Sequence, residues 1–90
     1  MSTQRDKALI ATKKATSLLQ KIQTMIENGD YCIDIMQQNL AVIGLLKSAH
    51  QSLMEGHVSS CVKTAMETGS AAKKNQMIEE ILTVSKLANK

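Results

Sequence analysis

The sequence predicts an all-α fold: a three-helix subunit built to pair with copies of itself. Three observations predict it. Proline is absent from the 90 residues and only four are glycine, so little interrupts a helix. The single aromatic residue is Tyr31, whereas sheets draw on aromatic and β-branched side chains. Apolar residues recur at spacings of three and four along most of the chain, the period of a helix face. With no Phe or Trp, the core falls to Leu, Ile, Val, Ala and six Met. A chain of this length buries little apolar area alone, and association between subunits is the expected remedy.

One domain over residues 1–90 is expected, with helices over about 3–27, 31–66 and 71–88. In the first, Ala8, Ala11, Ala15, Leu18, Ile22 and Met25 form a heptad-like stripe that Leu19 and Ile26 widen. Asn28-Gly29-Asp30 stops it: Gly29 suits a left-handed cap and Asp30 can cap the next helix. The second carries Ile33, Met36, Leu40, Ile43, Leu46, Leu53, Met54, Val58 and Val62 at helical period, and is expected to run through Gly56. Thr68-Gly69-Ser70 ends it. The third places Ile78, Ile81, Leu82 and Ser85 on one face.

The net charge of +3 permits an acidic partner such as DNA without demanding one. No apolar run approaches the roughly 20 residues of a membrane span. The stretch Met1-Ser2-Thr3-Gln4-Arg5-Asp6-Lys7 has no apolar signal-peptide core. A cytoplasmic protein with reduced cysteines is the expectation. An enzyme is not expected. No nucleophile–base–orienter set or phosphate-binding glycine loop is legible, and the adjacent Glu79 and Glu80 diverge on a helix.

The residues with chemistry are Cys32, His57 and Cys61. His57 and Cys61 stand at i and i+4, one turn apart on a helix face, where two side chains can bite one ion. Such a pair also arises by chance, since a cysteine is often a small buried hydrophobe. Cys32 changes the weighing. Its offsets to His57 and Cys61 put all three within roughly 20° of one stripe, yet about 38 Å separates Cys32 from His57 along a continuous helix. One helix cannot close that site, whereas two copies packed antiparallel can. Cys32 of one subunit would then meet His57 and Cys61 of the other, and two-fold symmetry would make two such sites. Two thiolates and an imidazole form a soft set that suits Cu(I) or Zn(II). Three ligands without an obvious fourth favour Cu(I), because structural zinc takes four. His50, about 10 Å from His57 along the helix axis, is read as a core or surface histidine. The methionines are read as core filling.

Met25-Ile26-Glu27-Asn28 followed by Tyr31-Cys32-Ile33-Asp34-Ile35-Met36, continued by Gln38, Ala41 and Val42, resembles the copper-sensitive operon repressor family (CsoR/RcnR/FrmR). The spacing of Cys32, His57 and Cys61 matches the cysteine–histidine–cysteine triad of its copper-sensing branch. The resemblance implies an antiparallel dimer of three-helix subunits that pairs into a tetramer, with Cu(I) at the inter-subunit site weakening operator binding. It also implies that Tyr31 and Glu80, or Glu79 in its place, support the ligands from outside, where such groups orient the imidazole. The first helix departs from the family pattern: Ala11 stands where an arginine is usual, and Ser17-Leu18 where a Gly-Gln pair is usual. Arg5, Lys7, Lys13, Lys14 and Lys21 remain as candidate DNA contacts, or as an ordinary solvated face.

The leading function is therefore a copper-sensing transcriptional repressor released from DNA by Cu(I). The alternative is a Cu(I)-binding or buffering homologue that has lost operator binding. A third, a thiol-based sensor using Cys32 and Cys61, leaves His57 without a role.

Overall fold

A computed structural model describes residues 3–89; Met1, Ser2 and Lys90 lie outside the described residues. Those residues are helical almost throughout, with no strand among them. The elements are α1 (Gln4–Glu27), α2 (Cys32–Gly56), a π-helical turn (His57–Val62), α3 (Lys63–Thr68) and α4 (Ala71–Ala88). The chain divides into two compact units, Met1–Glu55 and Gly56–Lys90. No described helix is long and apolar enough to cross a membrane.

In the first unit α1 opens with a reciprocal cap. The Asp6 backbone N–H donates to Thr3 Oγ1, and the Thr3 N–H donates to Asp6 Oδ2, each at 3.0 Å. Both groups would otherwise be unpaired donors of a helix start. The other end closes on Gly29, the one described residue with positive φ, at 71°. The Gly29 N–H donates to the Ile26 carbonyl (3.1 Å) and the Asp30 N–H to that of Met25 (3.0 Å), the paired closure that a left-handed glycine permits. Asp30 is thereby committed to α1. The cap position of α2 falls instead to Tyr31, whose carbonyl accepts from Asp34 (3.0 Å) and Ile35 (3.3 Å). The expectation that Asp30 caps the second helix is corrected accordingly.

Ala8 and Ala11 cluster with Ala49, while Ala15 and Ile22 cluster with Val42 and with Leu18, Ile35 and Leu45 around it. The start of α1 thus lies beside the end of α2, an antiparallel hairpin. Its layers repeat every seven residues on both helices, as Ala8, Ala15, Ile22 and as Ile35, Val42, Ala49. The α1 stripe read from sequence supplies Ala8, Ala11, Ala15 and Ile22, all buried. Leu19 and Ile26 remain exposed at its margin.

On α2 the structure differs from the sequence reading. The residues turned to α1 are Ile35, Val42, Leu45 and Ala49. The stripe of Ile33, Met36, Leu40, Ile43, Leu46 and Leu53 is the other face, and every one of these six is exposed, Leu40 to 64%. A helix this apolar carries two faces of helical period, and the sequence does not say which one the same chain covers.

The second unit starts at Gly56, where the backbone stays helical (φ −64°, ψ −41°) before the π turn. The helical run passes through Gly56 without a break and changes from α to π geometry over His57–Val62. Ser60 Oγ donates to the Gly56 carbonyl at 2.7 Å and Ser59 Oγ does so at 3.3 Å. Serine hydroxyls that take a backbone carbonyl perturb a helix, and glycine lowers the cost of the distortion. α3 ends at Gly69, whose N–H donates to the Ala65 carbonyl at 2.7 Å. A Cβ at Gly69 would stand 2.5 Å from that oxygen, so the position takes only glycine without a shift. Ser70 Oγ then accepts from the Lys73 N–H to start α4. The inward residue of α4 is Met77, with Ile81 and Ser85 half-buried, while Ile78 and Leu82 are exposed. The face read from sequence is thus rotated by about one residue.

Candidate metal centre

Cys32 is the first residue of α2, directly after the turn at Gly29. Its thiol is free and exposed. His57 and Cys61 belong to the second unit, where both lie in the π turn. The turn holds the pair on neighbouring positions of one helical surface, with His57 half-buried and Cys61 free and exposed. Ser60 Oγ, fixed on the Gly56 carbonyl, lies 3.9 Å from Cys61 Sγ. Sequence reasoning passed over Ser60; its signal was a serine four residues after a glycine in a helical run.

Tyr31 flanks Cys32 with its ring 67% exposed and its carbonyl spent on the α2 start. Glu79 and Glu80 are both exposed on α4, lining a shallow groove with Gln76, Thr83 and Val84. Among the described residues of a single chain, no group of three or more His, Cys, Asp or Glu is placed to hold one metal ion. The donor set suits a soft ion: two accessible sulfurs and an imidazole, which become ligands once the thiols ionise.

Arg5, Lys7, Lys13, Lys14 and Lys21 are all exposed along α1. Lys7, Lys14 and Lys21 each precede a core residue, Ala8, Ala15 and Ile22, and so form one edge of the helix at heptad spacing. Ala11 carries no charge and belongs to the core. It is 8% exposed and packed in the cluster with Ala8 and Ala49.

An all-helical chain with two free, exposed thiols and a histidine has soft donors to offer a metal ion. The chain belongs to the metal-sensitive transcriptional repressor family, whose model matches residues 4–86. That is a family of transcriptional repressors, not of enzymes. The chain is similar to a Bacillus subtilis (strain 168) protein named copper-sensing transcriptional repressor CsoR: 34% identical over 85 residues, covering 94% of this chain and 81% of that one. It is similar also to the copper-sensing transcriptional repressor RicR of Mycobacterium tuberculosis (strain ATCC 25618 / H37Rv), 29% identical over 84 residues, covering 93% and 88%. A third relative is the copper-sensing transcriptional repressor CsoR of Mycobacterium bovis (strain BCG / Pasteur 1173P2), 29% identical over 86 residues, covering 96% and 70%. No solved structure matches the chain.

Proposed function

We propose that this chain is a cytoplasmic copper-sensing repressor, and that Cu(I) is held between two copies by Cys32 of one and His57 and Cys61 of the other. The observation that carries the reading is the coincidence of copper-sensing relatives with a donor set of two free, exposed thiols and an imidazole. Among the described residues, one chain brings no three such donors together. The outward face of α2 supports the same pairing. It starts beside Cys32 and continues through Ile33, Met36, Leu40 and Ile43, an apolar surface that a second α2 would cover.

In this reading the unit is an antiparallel homodimer, two of which form a homotetramer. Cu(I) is preferred to Zn(II) because three soft ligands complete a trigonal Cu(I) site and leave zinc one ligand short. Tyr31 and Glu80, or Glu79 in its place, would support the ligands from outside. Arg5, Lys7, Lys13, Lys14 and Lys21 would meet the operator phosphates as point charges. Copper binding would weaken that contact, and by linkage DNA would weaken copper binding equally.

The test is a gel-shift or anisotropy titration of apo and Cu(I)-loaded protein on its own upstream DNA, beside a Cu(I) competition titration. The repressor reading expects apo binding that falls steeply with salt and is weakened by copper. Apo protein without operator preference at low salt would end it. Cys32→Ala should abolish tight Cu(I) binding while leaving helicity unchanged. His57→Ala should lower affinity less, since two thiolates can still hold Cu(I) linearly, yet should uncouple copper from DNA release.

The buffering alternative keeps a specific observation in its favour. Ala11 stands where the family resemblance places an arginine, and it is buried against α2. That position therefore offers nothing to a phosphate. Tight Cu(I) binding with no effect of DNA would select this second reading.

A further inference from the structure

A second heptad seam runs along α2 beside the one that meets α1. Met36, Asn39, Ile43, Leu46, His50 and Leu53 follow one another at alternating steps of three and four, the spacing of a coiled-coil seam. All six are exposed. None belongs to the set that packs on α1, which is Ile35, Val42, Leu45 and Ala49. The whole seam lies within α2, one unbroken α-helix. Its ends and its middle are apolar. One polar residue interrupts it on either side of the middle, Asn39 toward the start and His50 toward the end.

That order of polar and apolar positions reads the same from both ends, about a centre between Gly44 and Leu45. A two-fold interface has to be self-complementary, because each copy offers the same surface. Two seams laid antiparallel about this centre set Met36 opposite Leu53 of the partner subunit and Ile43 opposite Leu46 of the partner subunit. Asn39 then stands opposite His50 of the partner subunit. Apolar meets apolar at every level, and polar meets polar. A slip of one heptad sets Asn39 against Ile43 of the partner subunit, or His50 against Leu46 of the partner subunit, and leaves one end of each seam unpaired. The matched pair is also chemically complementary. A carboxamide offers donors and an acceptor, and a neutral imidazole offers one of each. A polar residue in such a seam costs stability and fixes register.

We propose that Asn39 hydrogen-bonds to His50 of the partner subunit across an antiparallel contact between two α2 helices, twice by symmetry, and that this pair sets the register of the dimer. The inference rests on the dimer reading above and uses none of the copper ligands. A single polar residue in the seam would only weaken it. Two that meet favour one alignment over its neighbours.

The test is a double-mutant cycle on self-association of the full-length apo chain, read by sedimentation equilibrium and by the dependence of chemical unfolding on protein concentration. Asn39→Leu and His50→Leu should each raise the dimer dissociation constant on the order of tenfold, because each leaves one polar group facing leucine. The two changes together should restore wild-type association or better it, since no polar group is then left without a partner. The exchange Asn39→His with His50→Asn should associate like wild type, because the order of the seam is unchanged. Isotope-filtered NMR on mixed dimers of labelled and unlabelled wild-type chains should show the Asn39 side-chain amide in contact with the ring of His50 of the partner subunit. Additive effects in the cycle would overturn the pairing, as would either single change tightening the dimer or mixed dimers without that contact. A wild-type chain that stays monomeric at every concentration removes the dimer itself, and the shared copper site with it. A stable wild-type dimer with an additive cycle removes only the pairing of Asn39 with His50 of the partner subunit.

Discussion

The α1–α2 hairpin and the segment after Gly56 use one amino-acid vocabulary to different ends. The hairpin buries Ala8, Ala11, Ala15, Ile22, Val42 and Ala49, four of them alanines that let two helices approach closely. The segment after Gly56 buries Ala65 and Met77 and leaves Ile78, Leu82 and Leu87 exposed. Regular packing is thus concentrated where no proposed ligand but Cys32 is found. His57 and Cys61 ride on an irregular turn that buries none of its own residues. A π turn inside a helix recurs at functional positions because it trades regular packing for a re-aimed side chain. The hairpin can therefore serve as the rigid half of the molecule, and the later segment as the half that a ligand can order.

The sharpest way to break that contrast is to empty the hairpin core. Ile22→Ala removes the largest aliphatic side chain from the cluster with Ala15 and Val42, where it is 7% exposed. A loss of about 2–5 kcal/mol is expected by chemical denaturation. Cu(I) should recover part of it if the metal joins subunits, because a ligand of the folded state stabilises it by mass action. A loss below about 1 kcal/mol would show that the hairpin is not the main stabilising unit. The later segment offers a smaller counterpart at Gly69. The added methyl of Gly69→Ala meets the Ala65 carbonyl, and roughly 1 kcal/mol of destabilisation is expected, at the low end of overpacking costs. Hydrogen exchange should place that loss in α3 and the start of α4, with α1 unaffected.

The same contrast explains what the sequence makes legible. The all-α class and the α1 stripe are readable because three- and four-residue spacing has one meaning when proline is absent and Tyr31 is the only aromatic. The Gly29 turn is readable because a glycine between Asn28 and Asp30 has few other uses. The inward face of α2 is not readable. Ile35, Val42 and Leu45 are no more apolar than Ile33, Leu40 and Ile43, and only packing against α1 separates the two sets. The π turn hides for a similar reason. Over six residues its apolar pattern differs little from an α-helix, and Gly56, Ser59 and Ser60 carry the signal in their hydrogen bonds. For the candidate centre, spacing singles out Cys32, His57 and Cys61. In the proposed reading their assembly requires a second copy, a contact that no single chain's sequence encodes directly.

The smallest effect expected lies at the far end of the hairpin and is read by pH. Hydrogen bonds from Thr3, its backbone N–H first and its side chain second, hold the Asp6 carboxyl below its ordinary value. A depressed acid stabilises the folded state above its unfolded pKa of about 3.9. That contribution is lost as pH falls through the lower folded value, when the protonated carboxyl ceases to accept well. Asp6 is fully exposed, so salt screens the charge and the change is confined to the first turn of α1. Amide exchange at residues 4–7 should accelerate, relative to the α1 interior, as pH drops below about 4. Asp6→Asn should remove that pH step while leaving the Thr3 hydroxyl cap in place. Thr3→Ala should remove the cap at all pH values, at about 1 kcal/mol. An Asp6→Asn protein that still shows the step would assign it to another carboxylate, and the reciprocal cap would then be geometry without a measurable share in holding the start of α1.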